Sequence, residues 1–307
     1  MRTVLNNPEL NAQFQKDGYV RVPFISQTEV EELKKIFFET LASSGGQLGS
    51  GEEGVAQDHL VTYDFTFIDK NPEYKRLVFN TINSYFKPHM DRLLADYKPI
   101  IANYIRKQPQ TGEVPLHQNW AFADERKCCT VSIWCPLVDS TVENGTLQVV
   151  PGSHKRFGEI RGPMVPWELE NIKQEIIEKY LVPLETKAGD CVILDDSIVH
   201  YSALNHTGGL RLAIQLICIP AEFDSWHYFM NPSESTTKVD VLKADVDFYM
   251  QFNPWKIPEN PQKINTIQFA PKYISEAEFS KRLKGPRYDM ESPKGLFSKI
   301  KNLLTAH

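Results

Sequence analysis

The sequence predicts a mainly β chain with helices packed on one face, an antiparallel double-sheet jelly roll. Two observations carry this expectation. Helical periodicity dominates the first hundred residues. After them come six or more short stretches rich in Val, Ile, Thr and aromatics, broken by Gly, Pro and Asn. At 307 residues, 41% hydrophobic and 24% charged, the chain has ordinary globular composition and can build one large core, with or without a small annex at its end.

Residues 8–24, "PELNAQFQKDGYVRVPF", read as a short helix, a Lys-Asp-Gly turn and a strand at Tyr19–Val22. Ser26 followed by Glu29 is a capping box, and Val30, Leu33, Phe37 and Leu41 share one face of the helix it starts. The glycine-rich stretch 43–54 reads as a surface loop or as a lid over a pocket. Residues 71–98 are helical by the recurrence of Leu77, Val78, Ile82, Tyr85 and Phe86, with Pro88 and Pro99 as punctuation. The predicted strands are "IIANYIRKQ", "VPLHQNWAF", "CCTVSIWCPLVD", "GTLQVVPGS", "KAGDCVILDDSIVHYSAL" and "LRLAIQLICIP", with a helix interposed at 166–181. From residue 225 the sequence turns proline- and aromatic-rich and irregular. It ends in an amphipathic stretch carrying Leu296, Phe297, Ile300, Leu303 and Leu304 on one side, expected to dock on the domain. The expected division is a domain over 1–224 and an extension over 225–307 packed on it.

A net charge of −5 gives no footing for nucleic acid or an anionic membrane as main partner. No apolar run reaches the roughly 18 residues of a membrane span, and the N-terminus lacks a signal-peptide core, so a cytoplasmic protein is expected. Five cysteines, an odd number without CxxC spacing, read as buried free thiols.

A histidine on a strand is ordinarily a structural residue, but two here have informative neighbours. In "PLHQNWAFADE", His117 and Asn119 lie two apart, so strand alternation points both to one face. His200 lies on a later strand, and Arg211 follows eleven residues on in an otherwise apolar strand. A buried arginine needs an anion, and its planar fork suits a carboxylate. Two histidines and one oxygen ligand on a face, with other positions open, is the facial arrangement of non-haem Fe(II) oxygenases.

These residues sit in four blocks that resemble, in order, the phytanoyl-CoA dioxygenase family of Fe(II)/2-oxoglutarate oxygenases over roughly residues 10–220. The blocks are "FQKDGYVRVPFISQTEVEELKKIF", "KQPQTGEVPLHQNWAF", "SIWCPLVDSTVENGTLQVVPGSHK" and "AGDCVILDDSIVHYSALNHTGGLRLAI". The resemblance implies a double-stranded β-helix, a cupin-like jelly roll. It implies iron on His117 and His200, 2-oxoglutarate anchored by Arg211, O2 as oxidant, and hydroxylation of an unactivated C–H of a small molecule. Lys107 and Trp134 match positions near the co-substrate in relatives, and Ser202, on the face of His200, can add a hydroxyl. His154 is expected to pin a turn, and Gln118 to point away from the site.

The departure is Asn119, where the family carries Asp. Four readings stand. Asn119 ligates iron through its amide oxygen in a working hydroxylase; it stands aside and leaves an open position, as in halogenases; metal binding is lost and the chain is a binding module; or Asp124, Glu125, Asp195 or Asp196 substitutes. Asp196 is a poor substitute on a regular strand, which would put it about 13 Å from His200. The first reading keeps a purpose for the whole constellation, so the expected metal set is His117, Asn119 and His200. The substrate pocket is expected between the loops 43–68 and 225–245, with Tyr63, Phe65, Phe67 and Trp226 as candidate walls.

Overall fold

The computed structural model describes residues 2–47, 63–259 and 261–290. The end stretch with Leu296 and Ile300, and most of the glycine-rich segment, lie outside the described residues.

Chain order begins α1 (Pro8–Asp17), β1 (Tyr19–Pro23), α2 (Gln27–Thr40), β2 (Asp64–Phe65), α3 (Pro72–Leu93), β3 (Tyr97–Lys107), β4 (Val114–His117), β5 (Val131–Pro136) and β6 (Leu147–Val149). There follow α4 (Lys173–Lys179), β7 (Val182–Pro183), β8 (Asp190–Asp195), β9 (His200–Ser202), β10 (Arg211–Pro220) and β11 (Trp226–Phe229). The last elements are β12 (Lys238–Lys243), α5 (Val246–Gln251), β13 (Lys263–Gln268) and α6 (Glu276–Leu283). A six-stranded antiparallel sheet, β1-β8-β5-β10-β3-β2, faces a four-stranded one, β4-β9-β6-β7. They form an open jelly roll rather than a closed barrel.

Period-2 alternation divides the large sheet cleanly. Leu212, Ile214, Leu216 and Cys218 of β10, with Ala102 and Tyr104 of β3 and Ile133 and Cys135 of β5, face outward into one core with the helices. There they meet Leu33 and Phe37 of α2 and Val78, Ile82, Phe86 and Met90 of α3. The alternate residues Ile101, Asn103 and Ile105, Trp134, and Arg211, Gln215 and Ile217 face the small sheet and line a cavity. Helices thus press one side of the sheet while the other holds the chemistry.

The second helix starts as the sequence indicates, with Ser26 and Glu29 making the reciprocal capping box; the first is capped by Asn7. Four expectations are corrected. Pro88 does not interrupt α3 but sits inside it. A proline removes one ladder bond, and the burial of Ile82, Phe86 and Met90 on either side holds the helix together. Pro99 lies within β3, where the pairing with β10 shifts register between Ile217 and Cys218, which accommodates a residue without an N–H. The helix expected over 166–181 is reduced to Lys173–Lys179 behind a short 3-10 turn. The segment after 225, expected to be irregular, contains a three-stranded sheet, β11-β12-β13. Its aromatics join the rest of the chain: Tyr249 and Phe252 pack on Phe67, and Phe279 of α6 stacks on Phe157 at 4.6 Å.

All five cysteines are buried free thiols. Burial pushes the Cys128 thiol up to about 12 and raises the other four as well. Among the described residues no helix is long and apolar enough to cross a membrane.

Candidate active site

The antiparallel pairing of β4 with β9 puts His117 directly opposite His200. Directly opposed side chains lie close enough to touch, and the two imidazole centroids are 4.1 Å apart. Each ring is fixed by its own backbone. His117 Nδ1–H donates to Pro115 O at 2.7 Å, and His200 Nδ1–H donates to Ile198 O at 2.9 Å. A carbonyl can only accept, so both Nδ1 atoms carry the proton and both Nε2 lone pairs are free, the tautomer that metal ligation requires. Burial lowers the pKa of both rings, and the nearby His117 lowers that of His200 further. Both are therefore neutral at physiological pH.

Asn119 lies past the end of β4, so strand alternation does not position it. Its amide does. Nδ2 donates to Ser132 Oγ at 3.0 Å and to Asp196 Oδ1 at 2.8 Å. With the NH2 end engaged on Ser132 and Asp196, the amide oxygen is the end left to ligate a cation. Asp196 reaches Asn119 because β8 stops at Asp195 and β9 starts only at His200, with a turn between them. The regular-strand expectation for Asp196 is corrected accordingly. Asp196 is fully buried, and burial, opposed by hydrogen bonds from Ser132 and Asn119, raises its pKa to about 7.

The other acids considered as substitutes are committed elsewhere. Glu125 makes a bidentate pair with Arg161 at 2.8 and 2.7 Å. Asp124 pairs with Lys127, and Asp195 accepts from the Ser197 backbone at 2.8 Å. Among the described residues no three His, Cys, Asp or Glu side chains cluster as a metal site. The available donor set is two imidazoles and one amide oxygen, which fits a facial divalent ion with one neutral oxygen in place of a carboxylate.

Arg211 is 1% exposed and lines the same cavity as both histidines and Asn119. Its Nη2 donates to Ser202 Oγ at 3.2 Å and Gly145 O at 3.3 Å. Nε and Nη1 have no partner among the described residues. Burial lowers its pKa to about 9, and its Cζ lies 5.8 Å from the Trp134 ring centre. A buried guanidinium with two idle donors fits the carboxylate of an oxo-diacid. Lys107 pairs with Arg211 across β3 and β10 but does not line the cavity. Its Nζ donates to Ser202 Oγ and Ala203 O, each at 2.5 Å, and to Ser202 O at 3.1 Å. Burial, then Arg211, lowers its pKa to about 6. Gly145 allows this packing: its φ is +75°, and a Cβ there would fall 2.2 Å from Ala203 O.

The cavity has a volume of about 240 Å³. Tyr63, Phe65, Phe67, Ile101, Trp120 and Ile217 are among its apolar lining residues. Trp134 and Ser202 line it as well; Trp226 does not. Its polar floor escaped the sequence reading. Gln215 Nε2 donates to Ser132 Oγ at 3.3 Å, Asn103 Nδ2 donates to Gln215 Oε1 at 3.2 Å, and the buried Asn103 Oδ1 has no partner. The only local sign was Gln215, on the face of Arg211 in β10; its pairing with Asn103 of β3 is a long-range contact. Gln118, expected to point away from the site, is among the residues lining the cavity, its amide donating to Phe157 O and Ser197 O and accepting from Trp167. His154 packs against the turn glycine Gly18 and accepts from Arg287 at 2.8 Å.

The family model for phytanoyl-CoA dioxygenase matches residues 14–213. A phytanoyl-CoA dioxygenase domain-containing protein 1 homolog of Dictyostelium discoideum is 30% identical over 70% of this chain and 94% of its own length. Phytanoyl-CoA dioxygenase 1 of Oryza sativa subsp. japonica is 34% identical over 40% of this chain and 45% of its own. Among solved structures, the non-haem α-ketoglutarate-dependent carbocyclase SnoK from nogalamycin biosynthesis aligns with TM-score 0.52 at 24% identity, covering 72% of this chain and 86% of that one. The epimerase SnoN, in complex with Fe3+, α-ketoglutarate and nogalamycin RO, aligns with TM-score 0.52 at 19% identity, covering 84% and 94%. Likeness at these identities speaks for the fold.

Proposed function

The chain belongs to the phytanoyl-CoA dioxygenase family, a family of non-haem iron dioxygenases that use 2-oxoglutarate, and from that premise we propose that it hydroxylates an unactivated C–H bond of a small, largely apolar molecule. The observation that carries this reading is the convergence on one cavity of two neutral imidazoles with free Nε2 atoms, the Asn119 amide oxygen, and a buried arginine with two idle donors.

In this reading His117, His200 and Asn119 hold the iron, and Arg211 with Ser202 holds the distal carboxylate of 2-oxoglutarate. The iron, when bound, supplies the oxygen chemistry that couples decarboxylation of 2-oxoglutarate to succinate with oxidation of the substrate. The chain's own work is orientation and exclusion of water. Nδ1–carbonyl bonds lock both imidazoles. Trp134 covers the Arg211 guanidinium. Phe65, Phe67, Trp120 and Ile217 offer the substrate an apolar wall and keep the reacting carbon dry. Arg211 is the single cation lining the cavity among the described residues; a second anionic group on the substrate would find no partner there.

The test is anaerobic titration of Fe(II) and 2-oxoglutarate into the protein, following the charge-transfer absorption band, with succinate release then measured in air. A band that forms, together with succinate, supports the assignment. A chloride-dependent shift of that band would indicate an open iron position. Neither band nor succinate would leave only a binding module.

A further inference from the structure

An asparagine amide has two ends, and only its oxygen can ligate a cation. Something must decide which end faces the histidine pair. At Asn119 the decision is made by hydrogen bonds with one direction. Ser132 Oγ–H donates to Asp196 Oδ1 at 2.6 Å. The hydroxyl proton is thereby used, and Ser132 Oγ meets Asn119 as an acceptor. Asp196 Oδ1 is the second acceptor, at 2.8 Å. Both neighbours demand the NH2 end. Turning the amide over would lose two hydrogen bonds and set its oxygen against two others in a buried site.

The carboxyl at 196 is held in place by its own turn. Asp196 N donates to Thr130 O at 3.1 Å and Ile198 N to Asp195 O at 2.9 Å, while the Asp195 carboxylate accepts from Ser197 N at 2.8 Å. The strand ends where it does so that this side chain swings beneath Asn119 rather than running on along β8.

We propose that Asp196 is the positioning residue of the metal centre: it fixes the Asn119 amide with its oxygen toward His117 and His200 and makes a neutral side chain serve as the third ligand. This rests on the iron-site reading above. It adds a specific claim. Asn119 and Asp196 together hold one amide and one acid, the same two groups as an aspartate ligand backed by an asparagine, in exchanged positions. The exchange should therefore be reversible.

The experiment uses Co(II) as probe, titrated into the metal-free full chain with saturating 2-oxoglutarate and read by the ligand-field spectrum, with circular dichroism and melting as controls for folding. Asp196→Leu removes the acceptor while filling the space. It is expected to weaken Co(II) at least tenfold, the usual consequence of losing a group that orients a ligand, and to alter the spectrum. The exchange variant, Asn119→Asp with Asp196→Asn, is expected to bind within about threefold of wild type or more tightly. Asp196→Leu binding within twofold of wild type overturns the proposal, as does an exchange variant that binds no better than Asp196→Leu. If Asp196→Leu does not fold, the size-conserving exchange variant decides alone: tenfold weaker binding than wild type overturns the proposal. Wild-type protein that binds neither Co(II) nor Fe(II) defeats the iron-site reading itself, whereas tight wild-type binding that is indifferent to residue 196 defeats only this inference.

Discussion

Lys107 and Arg211 stand opposite one another across β3 and β10 and donate to the same hydroxyl, Ser202 Oγ, at 2.5 and 3.2 Å. Burial lowers both pKa values, and the neighbouring Arg211 lowers that of Lys107 further. The arrangement is strained without an anion and relieved by one.

Arg211→Met should therefore separate ligand binding from stability. Losing two charge-assisted bonds, at about 1.5–3 kcal/mol each, predicts at least a hundredfold weaker 2-oxoglutarate. Removing an unpaired buried cation should leave the ligand-free melting temperature unchanged or raised. Calorimetric titration and thermal melts check both; a large fall in melting temperature without ligand would contradict the second.

Binding of 2-oxoglutarate should take up protons. Lys107, at about 6, is mostly neutral at pH 7.5 in the free protein. A dianion beside Arg211 raises the pKa of the neighbouring amine and draws a proton onto it. The binding enthalpy of the metal-loaded protein, measured in buffers of differing ionisation enthalpy, should reveal the uptake as a slope. The same depression sets a sign for the free protein: between about 6 and the ordinary lysine value near 10.4, the unfolded chain holds the proton that the folded chain lacks, so this group's contribution to stability rises with pH.

Acid should destabilise the protein below about pH 6.5. Burial lowers His154 to about 4 and His227 to about 3, and lowers His117 and His200 as well. Each stays neutral when folded and gains a proton on unfolding, so stability falls as pH drops through the ordinary histidine value. His227 is the clearest case. Both its ring nitrogens lack partners among the described residues, and it sits among Trp120, Phe248 and Phe252. His227→Phe should add about 1–3 kcal/mol at pH 7 and flatten the decline, as urea unfolding at pH 5, 6 and 7 would show.

The backbone of Asn119 has its own support. Arg161, paired with Glu125, donates from Nε to Asn119 O at 2.7 Å, and its carbonyl accepts from Ala121 N. Glu125→Ala leaves that guanidinium buried and unpaired and should cost about 3–5 kcal/mol, together with a weakened metal site. Chemical denaturation measures the first effect and Co(II) titration the second.

Much of this was legible in the sequence. The Ser26–Glu29 cap, the helix faces and the order of strands follow from local rules, because side chains within a few residues decide them. His117, His200 and Arg211 were found because a polar group in an apolar strand requires a partner. Pro88 and Asp196 were misjudged for one reason: each was assigned from the ideal geometry of a single element. Burial of Phe86 and Met90 overrides the proline, and a turn inside what reads as one continuous strand sends Asp196 to Asn119. The hydrogen-bonded row of Ser132, Gln215 and Asn103 joins three strands far apart in sequence, and only their pairing brings it together.

The burial of all five thiols gives the protein a practical property. Thiolate is the reactive form, and none of the native sulfurs offers it to solvent, so maleimide dyes should leave the folded wild-type chain unlabelled. A cysteine placed at Val142, which is 49% exposed on the turn that ends at Gly145, would then be a unique attachment point. A fluorophore there would sit on the turn whose Gly145 carbonyl accepts from Arg211, with no need to strip the natural cysteines first.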